Sequence, residues 1–250
     1  MKKSVIAAGM AALLSAGVQA DTIGLYLGGQ VWDNSVDGIF GESGGQTDFN
    51  LKDEQQGSFF IAVEHPLPLI PNAKVSMTNL DTEGSTVLTS DFDFAGETFT
   101  KGTAVDSIFD MSYVDYTLYY ELFDNGLFSF DFGISARDLD SDITVATKGD
   151  SPTTAKQSLS GMIPMLYAST MIGLPLTGLN IYAEGNFLSF DDHTILDYQA
   201  GLSYELVDNW AVDLNLTLGY RSVKLELEDL DDIYTDLEFD GVYAGAVLHF

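Results

Sequence analysis

The sequence predicts an all-β protein, a transmembrane antiparallel up-and-down β-barrel of about ten strands, with eight to twelve possible. Three observations lead to this fold class. Apolar and polar residues alternate with period two in segment after segment, and no long window shows helical periodicity. The connections between these segments are long on one side and short on the other, as in outer-membrane barrels. Beyond residue 20, no segment approaches the roughly 20 apolar residues that a membrane helix needs.

The amino terminus has the three parts of a secretory signal peptide. Lys2 and Lys3 precede an apolar run from Val5 to Leu14, and Val18-Gln19-Ala20 supplies small residues before a cleavage site. The apolar run is too short to cross a bilayer. We therefore expect residues 1–20 to be removed and residues 21–250 to form one outer-membrane β-barrel domain.

Composition excludes several classes of function. The chain carries a formal net charge of −28 and contains no cysteine. Nucleic-acid binding requires a basic surface, so we expect no nucleic-acid partner. Without cysteine there are neither disulfides nor thiolate metal sites.

Ten segments have strand periodicity. The clearest runs from Val114 to Leu122, where apolar residues on one face alternate with Asp115, Thr117 and Glu121 on the other. A soluble β-sandwich would show the same alternation. The predicted strands are 22–34, 56–65, 73–80, 109–122, 127–140, 159–172, 179–190, 195–206, 210–225 and 239–250. If the short segment 73–80 is not a strand, eight strands is the alternative.

The connections indicate the orientation in the membrane. Long connections (35–55, 81–108, 141–158 and 226–238) alternate with short ones (66–72, 123–126, 173–178 and 207–209), and only 191–194 is short on the long side. Outer-membrane barrels have short periplasmic turns and longer outer loops, which places both termini in the periplasm. Trp210 and Phe123 near the short turns, and Trp32 and Phe190 near the outer ends, are expected in the two aromatic belts.

Eight charged residues have the inward parity of the predicted strands and form a candidate lumen charge network: Asp115, Glu121, Asp131, Arg137, Glu184, Asp197, Asp213 and Arg221. A barrel of about ten strands has a narrow lumen, and a charge inside it is costly unless it is paired. We expect Arg137 and Arg221 to be bridged to acids such as Asp115 and Asp197. The network then forms a structural plug or, alternatively, lines a narrow porin-like path that favours cations.

The connection before the last strand is strongly acidic and is a possible cation-binding loop. Carboxylates such as Glu226, Glu228, Asp229, Asp231 and Asp232 are ligands that Ca²⁺ and Mg²⁺ prefer. The segment lacks the spacing of a defined calcium loop. It is therefore either a solvated loop or a weak divalent site that helps the protein sit beside anionic lipopolysaccharide. We predict no other metal or cofactor.

Two outer loops have a partial resemblance to the omptin proteases, which are ten-stranded barrels. Asp91 and Asp93 in the second outer loop, with Asp191, Asp192 and His193 in the fourth, resemble the omptin catalytic residues. In that family an acid and a histidine activate water for peptide attack. The same Asp-x-Asp spacing recurs elsewhere in this acidic chain, so an enzyme is only the alternative to a structural or narrow-pore protein.

The carboxyl terminus resembles the closing strand of bacterial outer-membrane β-barrels. The family pattern of a polar residue, a glycine and two apolar residues corresponds to Tyr243, Gly245, Leu248 and Phe250, although Tyr243 is only partly polar. The resemblance implies recognition by the barrel assembly machinery during biogenesis. It says how the chain would reach the membrane and nothing about its activity.

Over its mature length the chain also resembles a family of small, uncharacterised outer-membrane β-barrel proteins of gammaproteobacteria. The segment Asp21–Trp32, the succession of strands and Phe250 carry this resemblance. It implies a Gram-negative outer-membrane location and contact with membrane lipid and lipopolysaccharide, and it transfers no catalytic residue. We expect a monomer.

Overall fold

A computed structural model describes residues 23–43, 45–67, 69–190, 193–209, 212–230 and 233–250. The predicted signal peptide, residues 1–20, lies outside these ranges. Within them we find no helix long and apolar enough to cross a membrane. The described strands are β1 (Gly24–Glu42), β2 (Glu54–Glu64), β3 (Asn72–Thr78), β4 (Asp81–Val87), β5 (Phe92–Phe94), β6 (Glu97–Phe99), β7 (Ala104–Asp110), β8 (Tyr113–Asp124), β9 (Phe128–Thr147), β10 (Thr154–Leu174), β11 (Leu179–Phe190), β12 (His193–Val207), β13 (Asp213–Leu230) and β14 (Ile233–His249).

Ten of these strands close into an antiparallel barrel, which confirms the predicted fold class and strand number. The order around the barrel is β1, β2, β3, β8, β9, β10, β11, β12, β13, β14 and back to β1. The closing seam is long, since β14 pairs with β1 from His249 opposite Tyr26 to Ile233 opposite Glu42. The shortest predicted strand, 73–80, is present as β3.

An apolar belt surrounds the lower half of the barrel. On β8 it runs from Val114 to Leu122, and the outward Leu118 and Leu122 are 48% and 60% exposed. Nine residues of a strand tilted by about 40° span roughly 24 Å, close to the height of a lipid-facing band. Outward aspartates, among them Asp33, Asp138 and Asp240, mark the upper edge of the belt.

Above the belt the strands continue, and this corrects the predicted long loops. β1 reaches Glu42, β9 reaches Thr147, and β13 and β14 meet near residues 230–233. Segments 81–108, 141–158 and 226–238 are therefore largely strand, and residues 35–42 of segment 35–55 belong to β1. Their acids point outward while apolar residues such as Leu225, Leu227 and Phe239 point inward and are buried. The alternation that defines a strand thus continues through segments whose acidity favoured a loop interpretation.

We call the part of the molecule above the belt the dome. It has two sheets, one made of the outer ends of β13, β14 and β1, and the other of β4, β7 and the outer ends of β9 and β10. Phenylalanines join the two sheets, because the ring centroid of Phe109 on β7 lies 5.6 Å from that of Phe40 and 6.4 Å from that of Phe239. The dome therefore encloses an apolar core.

Two further segments complete the dome. Residues 45–53 cover the edge between β1 and β4, where Thr47 bridges to Phe40 and the Lys52 amide donates to the Glu83 carbonyl over 2.9 Å. The β5–β6 hairpin caps the outer end and inserts a buried Phe94 into the core. It is fastened by the Ala95 amide, which donates to Glu42 Oε1 over 2.6 Å.

The aromatic positions agree only partly with the expected belts. Phe123 and Phe190 are 49% and 69% exposed. Trp32 is 1% exposed and points into the barrel, which makes its predicted interface position wrong. Its parity is that of Gln30 and Asn34, which also face inward. Trp210 lies outside the described residues.

Candidate functional site in the barrel lumen

A buried charge layer crosses the lumen just below the dome. Asp115 on β8 and Arg137 on β9 face each other in the strand register, and both side chains point inward. Arg137 donates from Nε to Asp115 Oδ1 and from Nη2 to Asp115 Oδ2, both over 2.8 Å. Its Nη2 also donates to Asp197 Oδ2 on β12 over 2.7 Å. One guanidinium thus spans the lumen between two carboxylates.

Arg221 on β13 completes this layer. It donates from Nε to Asp197 Oδ1 over 3.1 Å and from Nη2 to Asp197 Oδ2 over 3.0 Å. The Tyr113 hydroxyl donates to Asp197 Oδ2 over 2.6 Å, and the Tyr113 ring lies 3.5 Å from Arg137 Cζ. The positive charges of two arginines balance the negative charges of two aspartates. Buried charged side chains need such pairing, because they have lost their contact with water.

The four side chains of this layer are almost completely excluded from solvent. Arg137 and Asp115 are 1% and 3% exposed, and Asp197 and Arg221 are 6% and 7% exposed. The layer lies directly under the apolar core of the dome, since Leu139 follows Arg137 at the next inward position of β9 and is buried. Water therefore meets a paired charge layer first and an apolar core behind it.

Below the charge layer lies a polar cavity of about 50 Å³. That volume accommodates a few water molecules. Lys74 on β3 holds one side of it, with Nζ 2.8 Å and 2.7 Å from the two carboxylate oxygens of Glu184 on β11. Gln199 Nε2 donates to Glu184 Oε1 over 3.0 Å, and Tyr167 Oη donates to Glu184 Oε2 over 3.2 Å.

A smaller space of about 10 Å³ lies on the other side of Arg137. Apolar side chains such as Met111, Ile163 and Leu225 surround it, and it has room for about one water molecule. Arg137 and Tyr113 contribute to its wall.

The other three candidate lumen acids lie near the end of the barrel that has the short turns, and they do not join this network. Glu121 and Asp131 are opposite each other in the β8–β9 register, and Glu121 is exposed. Asp213 begins β13 and faces β14, with its Oδ2 3.2 Å from His249 Nδ1. The lower lumen therefore carries more acid than base.

Sequence reasoning missed several residues of the site. Lys74, Tyr113 and Tyr167 hold the predicted charges in place, but they were not among the lumen residues predicted from the sequence. Lys74 could have been found, because it shares the inward parity of Asn72, Ser76 and Thr78 on β3. The tyrosines carried no comparable signal, since a tyrosine suits lipid interface and lumen alike.

The predicted cation-binding loop is part of the β13–β14 hairpin. Glu226 is outward on β13 and its Oε1 lies 2.6 Å from Lys224 Nζ, which raises the pKa of that ammonium group. The Glu228 side chain is exposed. Asp231, Asp232 and the side chain of Asp229 lie outside the described part of the structure. Among the residues described, no three acids, histidines or cysteines are grouped to hold a metal ion.

The residues that resemble the omptin set have other partners. Asp91 Oδ1 accepts from the Lys101 amide over 2.8 Å, and Asp93 Oδ1 accepts from Thr98 Oγ1 over 2.6 Å, so both brace the β5–β6 hairpin. His193 Nδ1 accepts from the Glu228 amide over 3.3 Å. Asp191 and Asp192 lie outside the described residues.

The carboxyl-terminal residues of the predicted assembly motif line the closing seam. Tyr243 points inward, is 1% exposed, and its hydroxyl is hydrogen bonded to that of Tyr182. Gly245 packs beside Gln30 and Thr217, and Leu248 pairs with Leu27. Phe250 ends the seam, and its amide donates to the Leu25 carbonyl over 3.0 Å.

The outer face of the dome is acidic. Asp138, Asp140 and Asp142 alternate along β9, and Asp142 lies opposite Asp110 of β7 in the register. Ser158 Oγ donates to Asp142 Oδ1 over 2.6 Å, and Lys156 Nζ lies 2.9 Å from Oδ2. These contacts hold the pKa of the Asp142 carboxyl below its usual value. Asp142 therefore stays charged in neutral and mildly acidic medium.

Comparison with known proteins gives fold-level similarity only. No family model and no curated protein matches the chain. Among solved structures, it is similar to the transport unit of the autotransporter AIDA-I from Escherichia coli, at 8% identity and TM-score 0.39 over 98% of this chain and 96% of that one. Ail, the attachment invasion locus protein of Yersinia pestis, matches at 12% identity and TM-score 0.34 over 92% and 99%. The toluene transporter TodX of Pseudomonas putida matches at 10% identity and TM-score 0.31 over 92% and 90%.

Similarities at these scores indicate nothing about function. The membrane location follows instead from the closed wall of the barrel and its apolar outer surface. Its wall has no open edge in the belt region, and the exposed side chains there are apolar on every strand. A closed barrel satisfies every backbone hydrogen bond in lipid, and an apolar outer band is what contacts acyl chains. The protein is a transmembrane β-barrel of the bacterial outer membrane.

Proposed function

We propose that the protein is a closed outer-membrane anchor that holds an acidic β-structured dome at the cell surface. The single observation that carries this proposal is the stacking of the charge layer beneath the apolar dome core. Arg137 and Asp115 are almost completely buried in the charge layer. Phe109 and Phe239 are almost completely buried in the dome core. Of the two roles predicted for the lumen, a plug is the one that this packing favours.

Planar lipid bilayers provide the test. We expect the purified protein to produce no discrete conductance steps, because ions would have to cross both a paired charge layer and an apolar core. Asp115→Asn and Asp197→Asn should then leave the recordings equally silent. Discrete steps in the parent protein would contradict the closed anchor.

A narrow cation-favouring pore is the second candidate, and the acids of the lower lumen favour it. Glu121 and Asp131 lie side by side near the periplasmic mouth, without a lysine or arginine bonded to either carboxylate among the described residues. Under this alternative, conductance should be cation-selective and should fall when Asp115 or Asp197 is neutralised. That outcome separates it from the closed anchor.

A surface peptidase of the omptin type is the less favoured alternative. Asp91 and Asp93 brace their own hairpin, and no described hydrogen bond joins either of them to His193. Incubation with basic peptides should give no cleavage. Cleavage that disappears in His193→Ala would reverse this choice.

The partners we propose follow from the membrane position. Membrane lipid would cover the belt, and the barrel assembly machinery would recognise the seam that ends at Phe250. Outward acids at the upper edge of the belt, such as Asp33 and Asp240, would share weakly bound Ca²⁺ or Mg²⁺ with lipopolysaccharide phosphates. We also propose a monomer and membership of the gammaproteobacterial barrel family.

A further inference from the structure

Two of the short turns contain the same sequence triplet and the same unusual backbone conformation. The turn between β2 and β3 contains Leu67-Pro68-Leu69, and the turn between β10 and β11 contains Leu174-Pro175-Leu176. The second leucine of each triplet has a positive φ, 69° at Leu69 and 68° at Leu176. Left-handed backbone is unfavourable for leucine, because its Cβ then crowds the following carbonyl oxygen, and turns usually place glycine or asparagine there.

The side chains of these two leucines have almost no cover within the described part of the chain. Leu69 is 91% exposed, and Leu176 is fully exposed. The turn at Leu176 is nevertheless well formed, since the Thr177 amide donates to the Leu174 carbonyl over 3.3 Å. Each turn thus combines a strained residue with an uncovered aliphatic side chain. Glycine would remove both costs, so the leucines point to a contact made outside the chain.

Neighbouring turn residues extend these two tips into a larger surface, which we call the apolar collar. It covers three of the four short turns, those between β2 and β3, β8 and β9, and β10 and β11, which follow one another around the rim. Residues 66–71 and 173–178 contain no charged side chain, in a chain with 38 acidic residues. Such a composition is expected of a surface that contacts lipid or protein. The exposed members of the collar are Leu67, Leu69, Ile70, Phe123, Leu127, Leu174 and Leu176.

The position of the β2–β3 turn identifies lipid as the partner of the collar. Asn72 of β3 pairs with Tyr119 of β8, so residues 69–71 lie beside the lower end of the apolar belt. The Tyr120 side chain faces outward in the belt, and its hydroxyl donates to the Leu69 carbonyl over 3.0 Å. This bond holds the turn against the lipid-facing side of the wall, away from the lumen. The collar is therefore continuous with the surface that contacts acyl chains.

The other two turns of the collar are joined on the same side of the wall. The Gly173 amide donates to the Leu127 carbonyl over 2.7 Å, which connects the β10–β11 turn to the β8–β9 turn. Phe123 and Phe128 flank the β8–β9 turn, both are exposed, and their ring centroids lie 5.6 Å apart. Phe128 shares the outward parity of Phe132, a belt residue of β9. The three turns thus form one outward apolar surface below the belt.

We infer that the apolar collar inserts into the membrane leaflet at the short-turn end of the barrel, where Leu69 and Leu176 lie among the glycerol groups and upper acyl chains of phospholipids. Burial of the two side chains in lipid offsets the backbone strain of their turns. Because one of the four short turns lies outside the collar, insertion holds one side of the rim deeper than the other and fixes the depth and tilt of the barrel. This contact does not depend on whether the lumen is closed.

Spin labelling in vesicles of dioleoylphosphatidylcholine tests the position of the two leucines. Because the chain contains no cysteine, Leu69→Cys and Leu176→Cys each provide a single labelling site. Collisions of the nitroxide with oxygen, which concentrates in lipid, and with a water-soluble nickel chelate report its depth. We expect both labels to favour oxygen, as a label at Leu216→Cys in the belt does, and to collide with nickel several-fold less often than a label in water.

The remaining short turn supplies the control at the same end of the barrel. Asp208 is exposed there and lies outside the collar, so a label at Asp208→Cys should collide freely with nickel. Nickel collisions at positions 69 and 176 as frequent as those at 208 would overturn the insertion, and they are the result expected if a protein absent from the vesicles covers the collar. Lipid-like burial of the label at 208 would also reject the assignment, because the nitroxide itself would then be seeking lipid.

Unlabelled variants test the contribution of the leucines to folding in lipid. The double variant L69N/L176N removes both apolar side chains, and asparagine tolerates a positive φ better than leucine does. We expect it to lower the folded fraction several-fold in vesicles of dioleoylphosphatidylcholine and less in the thinner bilayers of dilauroylphosphatidylcholine, since the variant barrel has a shorter apolar surface. Heat-modifiable gel migration measures the folded fraction.

The matched control for these variants lies on the water-facing side of the dome. Val87 and Ile108 are exposed there by 60% and 56%, so V87N/I108N makes two apolar-to-asparagine changes outside the membrane. It should reduce the folded fraction less than L69N/L176N does, although its positions lie in strands, where asparagine is unfavourable. An equal reduction by both double variants, or unchanged folding of L69N/L176N in both lipids, would reject the insertion of the collar.

Discussion

Arg137 is the residue on which the proposed plug of the lumen depends most directly. It bonds to both Asp115 and Asp197, and all three side chains are almost completely buried. A guanidinium suits this position because its planar fork offers donors to two carboxylates at once. Arg221 bonds to Asp197 from the other side, so Asp197 has two cationic partners.

We expect Arg137→Met to lower the free energy of unfolding by about 3–5 kcal/mol, since it leaves Asp115 without its cation in a buried site. Urea unfolding in lipid vesicles, followed by heat-modifiable gel migration, measures the change. The double variant R137M/D115N should recover part of the loss, because it removes the uncompensated charge as well.

The exposed pair of Lys52 and Glu83 supplies the control for this residue. Its two side chains are 61% and 57% exposed, although Nζ and Oε1 lie 2.6 Å apart. Lys52→Met should leave the unfolding midpoint unchanged, since water competes for an exposed ion pair. If both methionine variants behaved alike, the charge layer would have no special structural weight.

At the scale of elements, the packing between β12, β13 and β14 depends on two facing glycines. Gly201 and Gly219 are opposite each other in the β12–β13 register, and the Tyr243 side chain lies over both. A Cβ at Gly219 would lie 2.3 Å from the Ala200 carbonyl oxygen and 2.6 Å from the Tyr243 hydroxyl. The hydroxyl pair of Tyr182 and Tyr243 therefore requires glycine beneath it.

Gly219→Ala should destabilise the barrel by about 1–3 kcal/mol, the usual cost of overpacking. Gly57→Ala is the matched control on β2, where an added Cβ would meet nothing within 4 Å. Urea midpoints of both variants in the same vesicles give the comparison. A neutral Gly219→Ala would show that Tyr243 moves aside without cost.

The β5–β6 hairpin is the element of the dome with the fewest strand contacts. It pairs only with itself in the described sheets, and Phe94 anchors it against Phe40 of β1, at a ring distance of 6.2 Å. A small element held by a few buried side chains opens locally before the whole fold does.

Phe94→Ala should therefore raise amide hydrogen exchange in residues 92–103 while amides of β8 and lower β9 stay protected, because the lost burial belongs to the hairpin. Val87→Ala, at a side chain 60% exposed, should leave the exchange pattern unchanged. Increased exchange throughout β8 and β9 would show instead that dome and belt open together.

For the molecule as a whole, periodicity predicted the ten-strand barrel but not the dome. The alternation in β8 and β14 is strong because lipid selects apolar residues on one face. Above the belt the outward face of the strands meets water, so the same strands carry acidic residues there. The acidic composition of these segments led to the prediction of loops. Inward Ile143, Val145 and Leu225 were the signal that strands continued.

The residues of the lumen were likewise only partly predictable from the sequence. Parity alone placed the arginines and aspartates inside. It could not indicate that Lys74 reaches across from β3 to Glu184 on β11, because those strands are brought face to face only by closure of the barrel. Nor did parity separate a plug from a lined path. That distinction depends on how completely side chains from opposite walls fill the space between them.

Closure of the barrel is also the event in which Phe250 is predicted to act. Its amide and carbonyl bond to Leu25 over 3.0 Å and 3.2 Å, at the periplasmic end of the seam between β14 and β1. Two terminal hydrogen bonds contribute only about 1–3 kcal/mol to the folded state. Deletion of Phe250 should therefore lower the unfolding free energy by no more than about 3 kcal/mol and leave the barrel able to fold.

If Phe250 is instead read by the assembly machinery, its deletion should reduce the amount of barrel inserted in cells several-fold, while refolding of the purified chain into detergent micelles proceeds normally. Outer-membrane fractionation and heat-modifiable migration measure the two yields. Phe250→Leu keeps an apolar terminus and should restore most insertion. Equal losses in cells and in micelles would assign Phe250 a structural role at the seam, because micelles contain no machinery to recognise it.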